Sequence, residues 1–287
     1  MTSAEGSTRL AGVDPAVPSI ARVYDYALGG TDWYESDRQV YQHLKRAVPH
    51  QDDVGAANRR WLERVVRYVT RSAGIDQILD LGSGLPTQKN THEIAQELDA
   101  AVAVVYVDND PACVVRWREV LEADERTHFL DSDLTRPADL FDSLAVDRYL
   151  DLSRPMLLMQ CGTLHHVGDD QDPAGIMRRY IDRLAPGSYV MISHFFDPAD
   201  ENEHLHVLAR RAERALHDGG LGTGRWRTRA EIQAFFDGLE MVPPGLVELH
   251  EWWPGGPALR TPWPDERLIL GGVGRKTRTP PPPRSPI

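Results

Sequence analysis

The sequence predicts an α/β fold, a mostly parallel sheet with helices on both faces, and three observations carry that expectation. Residues 75–84 form a short apolar run (Ile75, Ile78, Leu79, Leu81) closing on Gly82-Ser83-Gly84. That is the pattern of a buried parallel strand running into a ligand-binding loop. Residues 102–107 are a second apolar run, and it ends at Asp108. An acid at the tip of the second strand of a βαβ unit is placed to accept hydrogen bonds from both hydroxyls of a ribose. From residue 75 onward, strand-like and helix-like runs alternate, as they do in a parallel sheet covered on both sides.

Composition narrows the partners. The chain has 287 residues, 41% of them apolar and 26% charged, ordinary for a globular protein with one large domain or two small ones. A net charge of −11 argues against nucleic acid, which is bound by Lys and Arg neutralising phosphates. No apolar run approaches the length of a membrane span, and no basic-then-apolar leader opens the sequence. Cys113 and Cys161 stand alone, without metal-ligand spacing, so a reducing cytoplasm is the expected setting.

Taken in order, residues 1–17 are small, polar and Pro/Gly-punctuated, and are expected to be poorly ordered. Residues 18–74 read as an N-terminal helical cap. Its first helix spans Pro18 to Gly30, with Arg22, Tyr24 and Tyr26 crowded before Gly29-Gly30, and could close over a ligand. Helices follow over 37–48 and 58–71, the latter with Trp61, Leu62, Val65, Val66 and Val69 on one face. The main domain is expected over 75–274. A helix should begin near Pro86-Thr87, its N-terminus facing the ligand. Asp110-Pro111 and Asp172-Pro173 each supply an N-cap followed by proline, starting two more helices. Strands are expected near 127–130, 154–161 and 188–193, a long polar helix over 199–217, and a capped helix from Thr228-Arg229-Ala230-Glu231. Met241–His250 and Arg267–Val273 read as the last strands, and the tail over 275–287, basic and proline-rich, is expected to be extended and disordered.

Two ligand classes use a glycine turn after the first strand, dinucleotides and S-adenosylmethionine. The turn here lacks the third glycine of the dinucleotide fingerprint. Asp80, two residues before the first glycine, would repel a pyrophosphate, but it could hold the amino group of a methionine moiety. The sign of that charge favours the sulfonium cofactor.

Asp80-Leu81-Gly82-Ser83-Gly84 resembles motif I of class I S-adenosylmethionine-dependent methyltransferases. Pro18–Gly30 with Asp37-Arg38, Ile78–Thr87, Val105–Pro111, Pro173–Ser193 and Arg227–Val247 further resemble a bacterial S-adenosyl methyltransferase family long regarded as a domain of unknown function. The resemblance implies a Rossmann-like, seven-stranded sheet with the last strand antiparallel and the cofactor across the strand tips. It implies that Gly82, Ser83 and Gly84 line the methionine and ribose portion, that Asp108 binds the ribose with Asn109 beside it, and that Asp133 and Leu134 face the adenine. Met159, Gln160 and Cys161 would lie under the cofactor, and Arg22, Tyr24 and Gly30 would close over it. Trp33-Tyr34 departs from the family pattern of a small polar residue then an aromatic.

His165-His166 after the fourth strand is the candidate for proton handling, since a histidine near neutral pKa can take a proton as a methyl group arrives. The competing reading is that the pair only shapes the pocket. No carboxylate or cysteine stands near them at metal-ligand spacing, and no metal is expected. Trp226, Trp252, Trp253 and Trp263 could form an aromatic substrate wall. The expected function is S-adenosylmethionine-dependent methyl transfer to an O or N atom of a small molecule. A non-catalytic S-adenosylmethionine-binding protein and an NAD(P)-dependent oxidoreductase are the alternatives.

Overall fold

The computed structural model describes residues 12–277, apart from 88, 122–124, 143, 254–255 and 257–259. Three helices come first: α1 (Ile20–Ala27), α2 (Glu35–Ala47) and α3 (Gln51–Arg71). The alternating region is β1 (Gln77–Leu81), α4 (Thr91–Gln96), β2 (Ala103–Asp108), α5 (Pro111–Val120), β3 (Thr127–Asp131), α6 (Pro137–Phe141), α7 (Leu144–Tyr149), β4 (Leu157–Cys161), α8 (Pro173–Arg183) and β5 (Tyr189–Phe195). The chain continues through α9 (Glu203–Asp218), α10 (Arg229–Gln233), β6 (Glu240–Met241), β7 (Val247–Glu248) and β8 (Ile269–Arg275).

The sheet runs β3-β2-β1-β4-β5-β8-β6, with β7 also paired to β8. β1 to β5 are parallel, and β8 is antiparallel to β5 from Tyr189↔Arg275 to Phe195↔Ile269. Eight strands replace the expected seven, because the single strand expected over 241–250 is two short pieces. Val242-Pro243-Pro244-Gly245 interrupts it, and prolines cannot donate to a ladder.

Side-chain alternation sorts the strands between two cores. Ile78, Leu157, Met159 and Met191 face α3, α4 and α5, with Trp61 and Trp117 in that layer. Leu79, Leu81, Val105 and Leu158 face the other side, against α6, α8 and Phe235. A third core joins elements distant in sequence: Val23 of α1, Val40, Tyr41 and Leu44 of α2, and Ala209, Ala212 and Leu216 of α9. The N-terminal helices therefore divide. α3 covers the sheet, while α1 and α2 build a lid layer with α9.

Residues 12–17, within the stretch expected to be poorly ordered, are tied to that layer. Ser36 Oγ donates to the Pro15 carbonyl at 2.8 Å, and the Arg22 guanidinium donates to the Val17 carbonyl. Residues 1–11 and 278–287 lie outside the described part of the chain. Among the described residues no helix is long and apolar enough to cross a membrane.

Candidate active site

A cleft of about 610 Å³ opens at the carboxyl ends of β1 to β4, where the strand order switches direction. Of the residues singled out from sequence, it brings together Tyr24, Asp80, Gly82, Ser83, Gly84, Asp108, Asn109, Asp133, Leu134, Cys161 and His166.

The glycine turn is pinned to β2, since Gly82 and Ser83 donate to the Val107 carbonyl at 2.7 and 3.1 Å. Gly82 has φ +69°, and a Cβ there would collide with the Thr163 side chain. Both facts require glycine. A Cβ on Gly84 would meet no atom within 4 Å, so the backbone at that point stands against open cleft. Ser83 Oγ is buried and has no hydrogen-bond partner among the described residues.

Two acids flank the turn. Asp80 Oδ2 accepts from Thr91 Oγ1 at 2.8 Å. Burial pushes its carboxyl up to about 6, opposed by the Thr91 hydroxyl and the Arg59 guanidinium and reinforced by Asp108. Asp108 accepts backbone N–H groups from Gly84 (2.8 Å) and Asp110 (2.9 Å), and burial raises its pKa against them. Neither acid lies in a salt bridge among the described residues. At the β3 end, Asp133 Oδ1 accepts from Thr135 N and Oγ1 at 2.8 and 2.7 Å, and Leu134 O accepts from Tyr180 at 2.9 Å.

Four of the residues expected to bind the cofactor lie outside the cleft. Arg22 is 3% exposed, and its Nε meets Asp37 Oδ2 at 2.8 Å, so it ties α1 to α2. Gly30 ends the α1 turn, where a Cβ would collide with the Asp25 carboxylate. Met159 and Gln160 are fully buried in β4, and Gln160 Oε1 accepts from Thr163 Oγ1. The helix expected from Pro86 begins instead at Thr91. There Asn90 and Glu93 form a capping box, with Asn90 N donating to Glu93 Oε2 at 2.6 Å. A helix N-terminus therefore does not follow the glycine turn directly.

The histidines separate. His166 lines the cleft, with its Nδ1 3.0 Å from Thr223 Oγ1, and burial lowers its pKa to about 4. His165 does not line the cleft. It stacks on Phe195 with ring centres 3.6 Å apart, and burial drives its pKa well below the usual range, with His166, His194 and Arg227 adding to the shift. Both rings are neutral near pH 7. Arg227 clamps this loop from below, donating to the carbonyls of Leu164 (3.0 Å) and Val167 (2.8 Å) and to Asp169 Oδ1 (2.7 Å). The tryptophans form no wall at the cleft. Trp226 stacks on Phe195, Trp252 is buried between Trp61 and Trp253, and Trp263, 42% exposed, stacks on His50.

Sequence reading missed Asn58 and Arg59 of α3, Ile20 of α1, and Thr163 and Thr223, all of which line the cleft. Asn58 left a signal, a polar residue one turn before Trp61 and Leu62 on an apolar face. Thr223 left none, because tertiary folding alone brings its loop to His166.

The chain matches the S-adenosyl methyltransferase family over residues 6–277. It is similar to a crystal structure from Thermobifida fusca YX, provisionally named a methyltransferase, at 37% identity, covering 93% of this chain and 98% of that one with a TM-score of 0.87. A DUF574 family protein from Streptomyces avermitilis MA-4680 is 34% identical, covering 91% of this chain and 98% of that one with a TM-score of 0.82. No curated protein matches the chain. With the family matched across nearly its whole length, the chain belongs to the S-adenosyl methyltransferases, so its cofactor is S-adenosylmethionine and its reaction is methyl transfer.

Proposed function

We propose that the cleft over β1 to β4 holds S-adenosylmethionine and delivers its methyl group to an oxygen or nitrogen of a small molecule. The observation that carries this reading is the pair of acids flanking the glycine turn, Asp80 buried and Asp108 half-buried, neither in a salt bridge among the described residues, with Arg59 the cation nearest Asp80. Around them, the orphaned Ser83 hydroxyl and the open face of Gly84 fit a polar, close-lying ligand. Asp80 takes the ammonium of the methionine portion and is drawn toward its ionised form by that charge. Asp108, held by the backbone N–H groups of Gly84, Asp110 and Asn109, has lone pairs left to accept from the ribose hydroxyls. Asn109 lies beside the ribose, Asp133 and Leu134 face the adenine, and Cys161 lies beneath with Met159 and Gln160 as the strand that carries it. Tyr24 of α1 closes the top. Burial pushes the Cys161 thiol up to about 12, so it packs rather than reacts.

The bound cofactor supplies a methyl group already activated by the sulfonium, and alignment supplies much of the rate. His166, neutral and at the cleft, accepts a hydrogen bond from the attacking group and takes its proton where one must leave. His165 stacks on Phe195 beneath it and lines the smaller space beside the cleft. The cytoplasm is the compartment we assign, on the two free thiols.

Calorimetric titration with S-adenosylmethionine, S-adenosylhomocysteine and NAD tests the site. Micromolar binding of the first two and none of NAD is expected. Asp108→Ala should weaken both by at least tenfold, about 1.4 kcal/mol, through lost charge-assisted hydrogen bonds. Unchanged affinity in that variant would move the ribose elsewhere.

A further inference from the structure

Beside the cleft lies a second, smaller chamber of about 80 Å³. It is walled by the lid helices α1, α2 and α9 and by α3. Val23, Ala27, Leu44, Val54 and Leu216 line it and do not reach the cleft. Ile20, Tyr24, Asn58, Gly162, His166 and Leu221 line both spaces, so the chamber and the cleft share a rim.

The chemistry of the chamber is one-sided. Among the described residues no Asp, Glu, Lys or Arg lines it. Its polar groups are uncharged side chains: Asn58, Tyr24 and His166 at the shared rim, where Asn58 Nδ2 donates to the Tyr24 hydroxyl at 3.3 Å, and Tyr41, Gln51 and His165 away from it. Among the described residues, His166 bonds through Nδ1 to Thr223, leaving Nε2 without a protein partner. A charged group entering the chamber would lose its hydration and meet no counter-charge, a penalty of several kcal/mol. A cavity of about 150 Å³ lined by Leu, Ile and Phe takes up benzene, so this smaller one suits a group of a few carbons.

Building on the methyltransferase reading of the adjoining cleft, we propose that this chamber is the acceptor site. It selects an un-ionised acceptor with a compact apolar tail, the tail buried among Val23, Ala27, Leu44, Val54 and Leu216 and the nucleophilic hydroxyl or nitrogen held at the Tyr24, Asn58 and His166 rim. Carboxylates, phosphates and ammonium ions are excluded as the buried part of the acceptor. The rim position sets the nucleophile at the boundary with the cofactor cleft, which is where the reacting groups must meet.

The test uses the full chain loaded with S-adenosylhomocysteine and three probes of one carbon skeleton: isobutanol, isobutyrate and isobutylammonium. Saturation-transfer NMR at pH 7 should show isobutanol bound with its methyl groups most strongly saturated, and no signal from either ion. Ala27→Leu fills the chamber and should abolish the isobutanol signal, while calorimetric affinity for S-adenosylhomocysteine stays within twofold of wild type. Val54→Ala enlarges the chamber and should shift preference toward 3-methylbutanol by about fourfold, one buried methylene. This second variant keeps the proposal open to refutation if Ala27→Leu does not fold. Equal binding of an ionised probe, isobutanol binding that survives Ala27→Leu, or no alcohol bound by wild type would each overturn the acceptor assignment. Failure of wild type to bind S-adenosylhomocysteine would instead strike the cleft reading on which this one rests.

Discussion

Arg22 gives the sharpest test, because sequence resemblance puts it over the cofactor and the structure puts it elsewhere. Its Nε lies 2.8 Å from Asp37 Oδ2, and the two side chains are 3% and 0% exposed. Removing one partner of a buried pair costs about 3–5 kcal/mol, chiefly by stranding the other charge. Here the lower end applies. Asp37 also accepts the backbone N–H groups of Ser19 (2.9 Å) and Tyr34 (2.8 Å), so it keeps two donors after Arg22 is gone. Arg22→Met should therefore lose about 3 kcal/mol in urea unfolding, or on the order of 10 °C in Tm. Asp37→Asn, at a position no reading puts near the cofactor, should lose a similar amount. The double variant should fall short of the sum of the two by about 1–3 kcal/mol, as contacting partners do. S-adenosylhomocysteine affinity, measured well below the transition, should change by less than about threefold in Arg22→Met. A tenfold loss of affinity with an unchanged unfolding midpoint would show that Arg22 touches the cofactor and that the ion pair is incidental.

Asp80 and the histidines make pH-dependent predictions. The Asp80 carboxyl titrates at about 6 in the free protein, and a cofactor ammonium favours its ionised form. Affinity for S-adenosylmethionine should therefore weaken as pH falls below 6, approaching tenfold per pH unit. In Asp80→Asn, affinity should be lower and level between pH 5 and 7; a wild-type profile that is equally level would remove Asp80 from the ammonium site. On stability the same shift acts the other way. The folded pKa is raised from 3.8, so that contribution is present at low pH and lost as pH rises through about 6. His166 is shifted down, from 6.5 to about 4, so its contribution is present above 6.5 and lost as pH falls toward 4. Once an acceptor is in hand, kcat should stay level from pH 8 to 5, and His166→Ala should lower it by one to two orders of magnitude, about 1.4–2.7 kcal/mol. An inflection between pH 6 and 7 that vanishes in His166→Ala would show a histidine far less desolvated than the geometry implies.

The sequence by itself determined the sheet and the acids at its tips. Ile78, Leu79 and Leu81 before Gly82, and the apolar run ending at Asp108, are signals read from consecutive residues. Burial on both faces makes such strands nearly all apolar, and their acids, Asp80 one residue before the end of β1 and Asp108 at the end of β2, sit where the cleft opens. The capping box at Asn90 and Glu93 was equally local, yet the Pro86 signal masked it. The break at Pro243-Pro244, which splits one expected strand into two, was also written in the sequence.

Only the tertiary structure decided what lies above the strand tips. Arg22 and Tyr24 are two residues apart on one helix, yet one turns to Asp37 and the other to Asn58 and the cleft. A spacing of two on a helix already sets them about 200° apart, but which of the two faces the cleft is decided by how α1 is rotated against α2 and α3. His165 and His166 likewise differ only in direction, one stacked on Phe195 and the other open to the ligand. The small chamber is further still from legibility, since its walls come from α1, α2, α3 and α9. Periodicity shows that each helix has an apolar face. Which faces meet, and what volume they leave between them, is fixed by packing across the whole chain.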